Sequence, residues 1–297
     1  MGALLLLTLG FLTWRQCARY RNDEVLWTAT LRDNPASWIA HNNLGIDLDA
    51  QPGRAAEAII HYEEALRLRP EHARAHSNLA RDLARIAGRQ DAAIMHYEAA
   101  LRIDPGLGWA HQNLAVLLAA RPGRRAEAIA HYEQALRLMP ESAETHYDLA
   151  IELGRSPGRE AEAVAHYRAA LRLRPGFAEA HNNLALALAP QPGTAEEAAG
   201  HFEAALRLRP DWAEAHNNYA SLLSEQPGRL PEAIAHYEQA LRLRPAASLV
   251  HYNLAGVYYR SGRVAEAVSQ LEIVLQLDPA DENARQRLAA LRRQLQR

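Results

Sequence analysis

The sequence predicts an all-α protein, an α-solenoid of antiparallel helix pairs closed by a C-terminal capping helix. Three observations lead there. The segment EAIAHYEQALRLMP at 127–140 returns as EAIAHYEQALRLRP at 232–245, and near-copies end at Pro70, Pro105, Pro175 and Pro210. Prolines from Pro35 to Pro245 stand 35 residues apart, and the last step, to Pro279, is 34. A fixed period of this size marks a stack of small units, none able to bury its own apolar surface alone. The second observation is helical spacing of apolar residues inside the period. The third is a turn signal that cuts each period in two.

Taken in chain order, residues 15–37 read as a linker and lead helix, in which Tyr20, Val25, Leu26, Trp27 and Leu31 can cover the start of the array. Each unit then opens on wording such as IAHNNLG (39–45) or EAHNNLA (179–185). Ala40, Leu44 and Leu48, like Ala180, Leu184 and Leu188, recur on one helical face. Pro-Gly at 52–53, 122–123, 157–158, 192–193 and 227–228 ends this first helix, because proline removes a donor and glycine admits a left-handed backbone. The second helix carries its own stripe, Ala58, Tyr62, Ala65 and Leu66 in the first copy. Seven units follow: 38–70, 73–105, 108–140, 143–175, 178–210, 213–245 and 248–279. Residues 280–297 form the cap, where Leu288, Leu291 and Leu295 offer one apolar face against four arginines.

Composition excludes several function classes. Formal net charge is −2, which gives no field to draw nucleic acid. All 33 basic residues are arginine, and Cys17 is the single cysteine, so no disulfide forms within the chain. From Gly2 to Trp14 there is no charge, yet this run is shorter than the roughly 20 residues of a spanning helix. Residues 1–14 are expected to be a short membrane anchor or the end of a longer membrane helix, contacting the lipid bilayer and placing the protein at a membrane. The alternatives are a soluble cytoplasmic protein whose apolar start packs on the first repeat, or one that self-associates through it. Arg15, Arg19 and Arg21 would put the following chain in the cytoplasm.

Residues 38–279 resemble tetratricopeptide repeats. In the seventh unit His251, Leu254, Ala255, Tyr258, Ala267, Leu271, Val274 and Pro279 occupy that family's framework positions. The resemblance implies a right-handed superhelix with a concave groove for a polypeptide. The A-H-x-N-L-A and A-I-x-H-Y-x-x-A-L-R-L-x-P wording looks like the repeats of O-linked N-acetylglucosamine transferases. That likeness implies a ladder of first-helix amides holding a peptide backbone: Asn43, Asn78, Asn113, Asn183, Asn218 and Asn253, with Asp148 in the fourth unit. Nothing in the chain resembles that family's sugar-transferring domain. The stretch NDEVLWTATLRDNPASWIAHNNLG (22–45) looks like the junction of multi-spanning, O-mannosyltransferase-like membrane proteins with C-terminal repeats. On that likeness the repeats would be the substrate-positioning part of a membrane enzyme whose catalytic region is absent, and would lie on the periplasmic or luminal side, contrary to the arginine count, so the membrane side stays open.

No chemistry competes with a binding role. Seven of the fourteen histidines, His41 to His251, share one first-helix position, and six, His61 to His236, share one second-helix position. Successive copies lie about 10 Å apart, too far to share a metal ion, so they are expected to be structural, bonded to a neighbouring unit. His72 and His76 have i,i+4 spacing but lack a third ligand. No nucleophile motif, phosphate loop or paired carboxylate appears, so no enzyme activity and no cofactor are expected. The residues expected to bind peptide are the seven ladder positions with Trp109, Val116, Tyr147, Ile151 and Leu186. An amide both donates and accepts, so it can grip a backbone without reading side chains, while varied neighbours supply selectivity. The bland alternative is that the amides bond to the adjacent helix and set repeat spacing.

Overall fold

A computed structural model describes residues 23–295. Every regular element among them is a helix, so the all-α solenoid of paired helices stands, with a final helix at the end. The chain divides into two compact units, 1–148 and 149–297. In the first, α1 (Asp23–Asp33) precedes α2 (Trp38–Asp49), α3 (Ala55–Leu68), α4 (Ala73–Ala84), α5 (Gln90–Ile103), α6 (Gly108–Ala119) and α7 (Arg125–Leu138). Helix α8 (Ala143–Gly154) contains the division. The second unit continues with α9 (Glu160–Leu173), α10 (Ala178–Leu188), α11 (Ala195–Leu208), α12 (Ala213–Ser224), α13 (Leu230–Leu243), α14 (Ser248–Arg260), α15 (Val264–Leu277) and α16 (Glu282–Leu295).

The closest packing is within pairs: α2 with α3, α4 with α5 and α6 with α7 in the first unit, α10 with α11, α12 with α13 and α14 with α15 in the second. Within each unit second helices also pack on the next first helix, as α3 does on α4 and α13 on α14. The predicted stripes form this core. Ala40, Leu44, Leu48, Ala58, Tyr62 and Ala65 are buried, as are Ala180, Leu184 and Leu188. Alanines at the crossings let backbones approach, and Tyr62, Tyr97 and Phe202 fill the wedge that remains. The fit is tight at Gly45, where an added Cβ would lie 2.6 Å from the Tyr62 ring; all six other units carry alanine at that position.

Between paired helices the backbone turns through a glycine with φ near +80°, at Gly53, Gly88, Gly123, Gly158, Gly193, Gly228 and Gly262. That conformation costs an L side chain about 1–2 kcal/mol, so glycine, more than the preceding proline, sets the turn. At the C-terminal end Leu288 and Leu291 are buried on α16, but Leu295 is half exposed, so the capping face is shorter than expected. At the other end α1 packs on α2 without fully burying any residue, and Val25 is exposed.

The expectation of a membrane placement is corrected. Its carrier, residues 1–14, lies outside the described residues, as does Tyr20. Among the described residues no helix is long and apolar enough to cross a membrane; second helices such as α3 have 14 residues, against about 20 for a span. Those residues therefore give no support for a bilayer contact or a multi-spanning N-terminus.

Candidate peptide-binding surface

The first-helix amides lie in the helix register between the core positions of Ala40, Leu44 and their counterparts, at the edge of the core, where most of them are half-buried. In the first unit Asn43 is half-buried and accepts a hydrogen bond from the Asn42 side chain at 3.1 Å. Asn78 is buried. Asn113 lies against the hydroxyl of Tyr97, whose pKa is pushed up to about 12 by burial. Trp109, Tyr147 and Asp148 are half-buried, and Val116 is exposed.

In the second unit the amides bond from repeat to repeat. Asn183 accepts from Asn182 at 3.0 Å, and Asn218 donates to Asn182 Oδ1 at 3.3 Å. Asn253 donates in turn to Asn217 Oδ1, also at 3.3 Å. The spacing role weighed from sequence therefore operates at Asn218 and Asn253. At Asn218 and Asn253 these bonds take one of the two hydrogens that an amide can donate. Ile151 is half-buried and Leu186 exposed, so each unit carries apolar side chains beside its amides.

A cavity of about 320 Å³ opens beside Asn253 in the second unit, lined by Ser221, Tyr237, Tyr252, Gly256, Arg260 and Arg287 among others. Arg287 Nη1 donates to the Tyr252 hydroxyl at 3.3 Å, with the guanidinium over the Tyr252 ring. Arg260 is held by Glu225 at 3.0 Å and by the Ser224 carbonyl. An added Cβ on Gly256 would lie 3.8 Å from Arg287 Nη2, so a larger side chain there would grow toward the arginine. Of its six counterparts Ile46, Arg81, Val116, Ile151 and Leu186 are large, and only Ser221, which lines the same cavity, is small. Two guanidinium groups against one carboxylate give this cavity a positive balance. The sequence reading missed both arginines, Arg287 because it belongs to the cap; the signal was the glycine at 256.

The histidines are structural, but their chief partners lie within the same repeat. Nδ1 of the first-helix ring meets Nδ1 of the second-helix ring at 3.0 Å for His41 and His61, 2.9 Å for His76 and His96, and 2.8 Å for His111 and His131. His181 with His201 and His216 with His236 repeat the contact at 2.9 Å. Each of these first-helix Nε2 atoms faces the carbonyl of the proline that closes the preceding segment, as His76 faces Pro70 at 2.9 Å. His72 instead packs its ring on Trp38, centroids 4.6 Å apart. Among the described residues no group of three or more His, Cys, Asp or Glu could hold a metal ion.

Comparison with known proteins agrees with the helix-pair repeat. Residues 46–107 match a family model described as Tetratricopeptide repeat, and residues 155–191 and 226–262 match one described as TPR repeat. No curated protein matches the chain. Among solved structures it is similar to YrrB, "a TPR protein with an unusual peptide-binding site", with TM-score 0.54 and 20% identity over 63% of this chain and 95% of that one. It is similar to MamA, residue 41 to the end, from Desulfovibrio magneticus RS-1, with TM-score 0.53 and 21% identity over 59% and 97%. A chain of the APC/C hetero-tetramer Cut9–Hcn1 gives TM-score 0.58 and 20% identity over 97% of this chain and 55% of that one. A tetratricopeptide-repeat, all-α scaffold fold is thus well supported.

The two narrower resemblances are corrected. The family matches are to general repeat models, and nothing found supports transferase-type repeats or a mannosyltransferase-like junction. The physical reason is that Ala, Leu, Tyr and Pro at these spacings are demanded by helix-pair packing itself. Shared wording at these positions is accounted for by the packing.

Proposed function

We propose that the chain is a non-enzymatic scaffold that holds an extended polypeptide along its first-helix amides. The observation that carries this is the row of amides in the second unit, where bonds from Asn218 to Asn182 and from Asn253 to Asn217 put successive repeats in register. Amides so fixed present spare donors and acceptors to a peptide backbone, and the entropy of ordering them is already spent in the fold. In the first unit Asn43, Asn78 and Asn113 take the same part, with Asp148 supplying only an acceptor. Trp109, Val116 and Tyr147 in one unit and Ile151 and Leu186 in the other take apolar side chains. The cavity at Arg260 and Arg287 takes an acidic one. YrrB, a protein of similar fold, has a peptide-binding site, which supports a peptide as the kind of ligand.

The test uses the full chain and fluorescein-labelled 15-residue peptide pools, acidic, neutral and basic, read by anisotropy. Alanine at Asn113, Asn183 and Asn218 together is expected to weaken binding at least tenfold while circular dichroism shows unchanged helicity. Equal affinity with the triple variant removes the amides from the function and leaves them the spacing role. Arg287→Gln is expected to weaken the acidic pool about tenfold and to leave the neutral pool unaffected; equal losses for both pools remove the cavity from the account.

A further inference from the structure

Paired histidine rings recur where neither a peptide site nor catalysis needs them. The proline carbonyl can only accept, so the first-helix Nε2 carries hydrogen. A neutral first ring then has a bare Nδ1, which takes a hydrogen bond from Nδ1–H of the second ring. One added proton fits, on the outer Nε2 of the second ring, and keeps this bond. A second does not fit, because two N–H groups would then point at each other across 2.8–3.0 Å. We propose that the five described histidine pairs form an acid-sensitive clasp between paired helices, in which each pair excludes one proton that the unfolded chain would bind.

Groups facing the pairs do not remove this exclusion. His41 and His61 meet Glu57 and Glu64 of α3, Arg54 at its N-cap, and Glu24 of α1. His76 and His96 face Arg89 and Arg102, with His72 nearby. Around His111 and His131 stand Glu98, Glu127 and Arg124. Glu197 and Arg168 flank His201, while Glu203, Glu232, Arg229 and Arg242 surround His216 and His236. Burial, then the partner ring, holds the second-helix rings of His61, His131, His201 and His236 below the ordinary histidine value, despite these acids. The same two causes act on His96.

The sign follows from linkage. Above about pH 6.5 the unfolded chain binds few of these protons, so little is excluded and the clasp contributes its full stability. As pH falls through 6.5 the unfolded chain protonates first, so stability is lost, at a limit of about tenfold in the folding equilibrium per pH unit for each excluded proton. The seventh repeat is a built-in contrast. There Gln270 stands where the second histidine would be, and His251 Nδ1 meets its Oε1 at 2.6 Å, while Nε2 faces the Pro245 carbonyl. Both nitrogens of His251 meet oxygen acceptors, so a full imidazolium keeps both bonds.

The experiment is urea unfolding of the full chain, followed by circular dichroism at pH 7.5, 6.5, 5.5 and 5.0. A chain carrying His61→Gln, His96→Gln, His131→Gln, His201→Gln and His236→Gln copies the seventh repeat, and its midpoint is expected to fall much less with acid than the parent's. Gln270→His adds a pair and is expected to steepen the acid dependence by up to tenfold in the folding equilibrium per pH unit. If the five-fold variant lacks helix at pH 7.5, His131→Gln alone is measured, with a smaller flattening expected. Parallel pH profiles for parent and Gln-bearing chains, or no steepening with Gln270→His, would overturn the clasp.

Discussion

Asp82 is a buried carboxylate whose partners do not compensate it fully. Burial, and the nearby Asp49 carboxylate, push its pKa up to about 6, although Arg81 and Arg85 lie at 3.5 and 3.6 Å. Its folded value is raised above the ordinary 3.8, so ionised Asp82 costs stability above about pH 6, and the cost is relieved as pH falls toward 3.8. Asp82→Asn is therefore expected to stabilise the chain by about 1 kcal/mol at pH 7.5 and by less near pH 4.5, measured by urea unfolding at both values. This dependence has the opposite sign to that of the histidine pairs, so the two can be separated by variant. Neither was drawn from the sequence. Asp82 shares a register with Asp47, Leu117 and Glu152, so no repeated signal marks it. The histidine partnership did leave a mark, the constant 20-residue offset from His41 to His61 and from His216 to His236. Attention to the 35-residue period compared like positions in different repeats and passed over unlike positions within one.

Helices and turns were legible because each repeats. Periodic alanine, leucine and tyrosine gave the buried faces, and Pro-Gly gave five of the seven described turns. The other two, at Gly88 and Gly262, lack the proline yet keep φ near +80°, which shows that the glycine conformation is what the turn requires. Gly123→Ala is accordingly expected to lower stability by about 1–2 kcal/mol, while Pro122→Ala costs less than about 1 kcal/mol; thermal unfolding of the two variants ranks them. Where elements are not repeated, the reading was weaker. The face of α16 ends at Leu291 rather than Leu295, and the lead helix buries no residue fully, since a terminal element has a neighbour on one side only.

At the scale of the whole molecule, stability in a repeat array is a sum of unit terms and nearest-neighbour interfaces. Removing residues 280–297 would uncover the surface of α15 that Leu288 and Leu291 cover, and is expected to lower the urea midpoint and promote association, read by light scattering. The proposed function was legible only as a mode. An amide repeated at one register points to a backbone grip, whereas the chemistry at one end of the array rests on Arg260, Arg287 and Gly256, brought together by folding. The proposed grip is read in the ¹⁵N spectrum of the full chain titrated with the acidic peptide pool. The side-chain amide signals of Asn113, Asn183 and Asn218 are expected to shift in saturable fashion with the bound fraction. Shifts confined to exposed second-helix positions such as Ala130 and Ala235, with those amides still, would contradict it.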